Sequence, residues 1–260
     1  MMTSASFGRA RSYRSSMDMD AQMEPGSLEE TFRRIVQSGT TDNAAYNILR
    51  QDYIDFHLVL VIGGAVCGFA ILILTGLAWT RFIRHVRTKP NLTSKFELRA
   101  YLLFALFGSL SALIILLLVA INLGTVLAPQ DGFEYAIAEI ADRNGTRAAA
   151  IHEVLNAWLA SGDSQVPSIV QQAVNDRLSW QQPKMIICGL LFVILSVFAR
   201  IIWSALIKRS RSPESMKEPK WILLTLLGIL TLPAMFLLLI MTLANAEASF
   251  APITISLLSG

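Results

Sequence analysis

LVLVIGGAVCGFAILILTGLAWT, residues 58–80, runs for 23 residues without a charge. At a rise of ~1.5 Å per residue, a helix of that length crosses the ~30 Å hydrocarbon core of a bilayer. Only a helix satisfies its own backbone hydrogen bonds inside such a segment. Three further stretches have the same character. Residues 100–130 and 221–246 are uncharged, and residues 185–207 hold one charge, Arg200. A 260-residue chain has too little polar sequence left over to cover four such helices in water. The expected fold is an all-α integral membrane protein with four transmembrane helices.

Composition agrees. Hydrophobic residues make up 53% of the chain and charged ones 16%, against about a quarter charged in soluble domains. A net charge of +3, scattered along the chain, gives no reason to expect a nucleic-acid partner. The two cysteines, Cys67 and Cys188, both fall in apolar runs, so neither a disulfide framework nor a zinc site is expected. Residues 1–26 hold three arginines and no apolar core run, and read as a disordered tail rather than a signal peptide.

Lysines and arginines set the orientation. The connection 81–99 carries Arg81, Arg84, Arg87, Lys89, Lys95 and Arg99 against one acid, Glu97. The connection 208–220 carries Lys208, Arg209, Arg211, Lys217 and Lys220. The long connection between spans two and three has more acids than bases. Both short loops are therefore expected in the cytoplasm, with N- and C-termini outside. Trp79, Tyr101, Trp203 and Trp221 fit a cytoplasmic aromatic belt, and Tyr53 and Trp180 an outer one.

The organisation follows. Residues 27–56 form extracytoplasmic amphipathic helices leading into span one. Residues 57–127 form the first transmembrane hairpin and residues 185–246 the second. Residues 128–184 form a helical outer loop, and residues 247–260 a short outer tail. Helical periodicity supports the outer elements: Phe133, Ala136, Ile137 and Ile140 recur on one side, as do Ile151, Val154, Leu155, Trp158 and Leu159. Ile169, Val170, Ala173, Val174 and Leu178 mark a third segment after Pro167. Ser27 with Glu30 makes a capping box, Asp42 reads as the cap of the helix entering span one, and Ser161-Gly162 reads as a C-terminal stop. These helices are expected to pack into a small cap. Asn144-Gly145-Thr146 and Asn91-Leu92-Thr93 match the glycosylation pattern, a three-residue signal of low specificity.

Four small residues, Gly64 and Gly68 on span one and Gly108 and Ala112 on span two, are spaced for close helix packing, within the bundle or between subunits. Arg200 is the candidate intramembrane polar site; it lies near enough to the end of its helix to snorkel. Ile151, Leu155, Trp158 and Leu159 are the candidate partner surface. Pro233 is expected to kink span four. The three histidines are far apart in the sequence, and His152 reads as part of a solvated face. No catalytic motif is present, so no enzyme, cofactor or metal is expected. The expected function is a non-enzymatic multi-pass membrane subunit or adaptor, binding another membrane protein through its outer cap or its small-residue faces. The alternative is a homo-oligomeric channel or small-solute transporter subunit. The lipid bilayer is its first partner, and the expected location is a cell membrane, a bacterial inner membrane in the first instance.

Overall fold

The structure, a computed structural model, describes residues 27–38, 42–88, 95–142, 146–210 and 219–259. The tail 1–26 and both glycosylation matches, at Asn91-Leu92-Thr93 and Asn144-Gly145, lie outside them. Among the described residues the elements are helices, with no strand: α1 (Leu28–Ser38), α2 (Ala44–Thr88), α3 (Lys95–Leu127), α4 (Gln130–Ala141), α5 (Thr146–Ser161), α6 (Ser168–Arg209), α7 (Pro219–Phe250) and α8 (Pro252–Ser259). Four of them, α2, α3, α6 and α7, are long and apolar enough to cross a membrane. Between 11% and 22% of each apolar stretch is buried inside the molecule, so the remainder needs a non-aqueous surrounding. The chain is an all-α protein with four membrane-span helices.

The chain divides into two compact units. The first comprises the described parts of residues 1–52, 130–175 and 253–260. Its centre is a ring cluster: Phe133 of α4 meets Phe32 of α1 at 5.4 Å and Tyr46 of α2 at 5.7 Å, both edge-on, and Phe32 meets Tyr46 at 5.6 Å. Helix α1 packs on both α4 and α5. The periodic residues of α4, namely Phe133, Ala136, Ile137 and Ile140, are all buried, as their spacing predicts. The backbone N–H of Glu30 donates to Ser27 Oγ at 3.3 Å, as a capping box requires.

The cap of α2 is Asn43, one residue beyond Asp42. Asn43 Oδ1 accepts from the Tyr46 N–H at 2.9 Å, while its Nδ2 donates to the Leu159 carbonyl at 2.7 Å. One side chain thus caps the start of α2 and satisfies a carbonyl at the end of α5. Gly162 stops α5 with φ +66°, a left-handed conformation that favours glycine. His152 is half-buried, with Nε2 donating to the Ile140 carbonyl at 2.6 Å, so it joins α5 to α4 instead of facing solvent.

Four segments differ from the sequence reading. Helix α6 begins at Ser168 and runs unbroken through Pro183 into span three, so the third outer segment and that span are one helix. Both basic connections are shorter than expected, because α2 continues to Thr88, α3 starts at Lys95, α6 continues to Arg209 and α7 starts at Pro219. Within the expected short tail 247–260, residues 252–259 form a helix with buried Thr254, Ser256 and Leu257.

The second unit, residues 53–129 and 176–252, is the bundle. A Cβ on Gly64 would lie 2.8 Å from Val119 Cγ2, one on Gly68 3.3 Å from Ile115 Cγ2, and one on Gly108 would collide with Thr75 Oγ1. These small residues, with buried Ala112, therefore set α2 against α3 within one chain. His57 Nδ1 donates to Asn122 Oδ1 at 2.6 Å and fastens the same pair. In the other hairpin, Trp203 Nε1 donates to the Gly228 carbonyl at 3.2 Å. Helix α7 continues through Pro233.

Gly108→Ala is expected to destabilise the α2–α3 hairpin by about 1–3 kcal/mol, the usual cost of overpacking. Gly124→Ala meets nothing within 4 Å and is expected to be neutral or slightly stabilising through helix propensity. Titrating both variants with a denaturing detergent ranks them; equal behaviour would mean that Gly108 does not set the helix spacing.

Candidate functional site: a cavity in the bundle

Both hairpins turn at the same end of the bundle. Phe96, one residue into α3, lies 4.8 Å from Trp221 at the start of α7 and 6.4 Å from Trp203 near the end of α6. Ala100, Ala199, Trp203, Leu206 and Trp221 form a buried cluster there, joined by Phe104, whose ring stands 4.6 Å from Trp203. Trp203 and Trp221 are therefore core residues, not members of a free aromatic belt. Trp180 is exposed, with Lys184 Nζ 4.0 Å and the Arg177 guanidinium 4.7 Å from its ring.

Beside this cluster lies a cavity of about 570 Å³, walled by residues 71–81 of α2, 101–111 of α3, 192–207 of α6 and 232–239 of α7. Its wall is mostly apolar, with leucine and phenylalanine the commonest residues. Two cations also line it, Arg200 from α6 and Arg81 from α2. The wall contains no acid, and neither guanidinium has a carboxylate partner among the described residues. Arg81 stands over the Tyr101 ring at 6.0 Å. His85, one turn further along α2, stacks on the same ring at 5.4 Å and lies 3.8 Å from the buried carboxylate of Glu97.

The exposed members of the wall come from α2 and α6: Leu74, at 66% exposure, Leu77, Arg81 and Arg200. Those from α3 and α7 are buried or half-buried. The cavity therefore opens sideways, between α2 and α6, with α3 and α7 as its floor. Thr75 lines it too; its Oγ1 is buried and has no hydrogen-bond partner among the described residues.

The structure gathers the residues singled out above unevenly. Arg200 is on the cavity wall. Gly108 is as well, while Gly64, Gly68 and Ala112 serve packing. Ile151, Leu155, Trp158 and Leu159 are all buried in the first unit, Trp158 at 3% exposure with its Nε1 donating to the Asp163 carbonyl at 2.8 Å. They are that unit's core, and the expected partner surface is not on this stripe. An apolar stripe states only that a face is covered; here the chain covers it itself. Arg81 and the cavity went unnoticed in the sequence because Arg81 reads there only as one of many topological charges. No group of three metal-binding side chains occurs among the described residues. Comparison with protein-family models, with characterised proteins and with solved structures finds no match to this chain.

Proposed function

We propose that this chain is a non-enzymatic multi-pass membrane protein whose working site is the sideways-opening cavity, a binding site for an apolar or amphipathic guest. The carrying observation is the cavity itself. Its size falls within the roughly 300–1,000 Å³ of small-molecule sites, and such sites likewise combine an apolar wall with a few polar groups. The wall's hydroxyls, on Thr75, Tyr101, Ser111 and Ser196, are few against its apolar side chains, which favours such a guest over the hydrated solute of a channel. The positive-inside pattern belongs to the same proposal: it puts the hairpin end, with the cavity, on the cytoplasmic side of a cell membrane, a bacterial inner membrane in the first instance.

Photolabelling in native membranes with a small apolar diazirine tests this. Thr75, Ala199 and Trp203 are buried members of the wall, so label on them reports a guest inside. Phe198 and Leu230 face outward and lie outside the wall, so they report bulk lipid. Label confined to outward residues would end the proposal.

A second reading, a subunit or adaptor for a protein partner, is favoured by the separately packed first unit, whose helices and core exceed what a plain linker needs. A stoichiometric second protein after gentle-detergent purification would carry it, and its loss on deleting residues 130–167 would place the contact. A preparation without one would count against it.

A further inference from the structure

We infer that the guest is an anionic phospholipid, held with one acyl chain in the cavity and its phosphate between Arg200 and Arg81. This inference rests on the cavity reading above and names the ligand class for the same site.

Three observations converge on it. The first is depth. The cavity wall spans ten residue steps along α2, from Ile71 to Arg81, and ten along α3, from Tyr101 to Ser111. At ~1.5 Å per residue that is ~15 Å, half of a ~30 Å hydrocarbon core and so the depth of one leaflet. The second is charge. Two permanent cations border a space whose wall holds no acid, and a cation in such a setting calls for a counter-charge. A protein carboxylate does not supply it among the described residues, so a ligand anion does. Guanidinium suits phosphate because its planar donors match two oxygens at once. The third is access. The mouth lies between α2 and α6, whose exposed wall residues face the surroundings of the bundle. A guest that enters there arrives from the membrane with its chain already among hydrocarbon. The unpartnered Thr75 hydroxyl inside the cavity adds a polar point that an ester carbonyl can meet.

The test uses the full chain in vesicles of equal parts phosphatidylglycerol and phosphatidylcholine, extracted in mild detergent, with retained lipid counted by native mass spectrometry. The expected result is at least one retained phosphatidylglycerol, preferred over phosphatidylcholine by about tenfold, the ratio that one charge-assisted contact supports. Arg200→Gln and Arg81→Gln are each expected to reduce that preference several-fold while helix content by circular dichroism stays unchanged. Ser196→Trp, which fills the cavity from α6, is expected to remove retention of both lipids. If wild type retains both lipids equally and the arginine variants change nothing, anion recognition is overturned while the cavity still binds a chain. If nothing is retained, and the diazirine labels only outward residues, both the inference and the reading beneath it fall. Retention that survives Ser196→Trp would place the lipid on the outer surface and also overturn the inference.

Discussion

Phe133→Ala is expected to cost the first unit about 3–5 kcal/mol, the usual range for truncating a fully buried phenylalanine. Phe133 is 1% exposed and stands edge-on against rings from α1 and α2, so its loss opens a void where three helices meet. The edge-on pairs add a geometric preference beyond burial, and they vanish with the ring. Amide hydrogen exchange resolves the effect by region. Amides in α4 and α5 are expected to exchange about two to three orders of magnitude faster, while those of α3 keep their protection. Equal acceleration in both would show that the two units open together. No acceleration would remove the ring cluster from its central place.

Asp52→Ala is expected to free α8 at a cost of about 2–3 kcal/mol. That helix lacks a cap of its own. Pro252 takes the first helical position, which suits proline, yet Ala251 before it has no side-chain acceptor. The missing acceptor is Asp52, whose two oxygens take the N–H groups of Ile253 at 3.2 Å and Thr254 at 2.7 Å. These are the second and third positions of the helix, where a cap residue's own side chain ordinarily acts. A carboxylate there also complements the positive end of the helix dipole, and hydrogen bonds to charged groups contribute about 1.5–3 kcal/mol. Asp52→Asn keeps one acceptor and loses the charge, so it is expected to cost about 1 kcal/mol. Limited proteolysis within residues 252–259 separates the three proteins: wild type slowest, then Asn, then Ala. Equal cutting of all three would show that α8 is held by Leu257 and its apolar neighbours alone.

The four spans are legible because the signal is a long absence of charge, and nothing else in a chain this short produces it. The helices of the first unit are legible for a related reason: Phe133, Ala136, Ile137 and Ile140 can share a face only on a helix. What covers that face is not legible, which is why Trp158 and Leu159 read as a partner surface although the chain buries them itself. Asp42 and Asn43 are both good caps, and the choice falls to Asn43 because the Leu159 carbonyl stands beside it, a neighbour 116 positions away. Pro183 resembles a boundary, but the helix on either side of it is long enough to continue through. The cavity is the least legible feature. It depends on which helices are neighbours, and Arg81 and Arg200, 119 positions apart, share it only after the two hairpins pack.

The Asp52 clasp has a bearing on biosynthesis. Its donors lie 201 and 202 positions further along the chain, so they do not exist when α2 is made. At ~5–20 residues per second, roughly 10–40 s separate the emergence of Asp52 from that of its partners. During that interval Asp52 is present without the two N–H donors of α8. The first unit thus closes last, after all four spans have been synthesised, and a ribosome that stops early leaves it without α8 and without the two hydrogen bonds that fasten that helix.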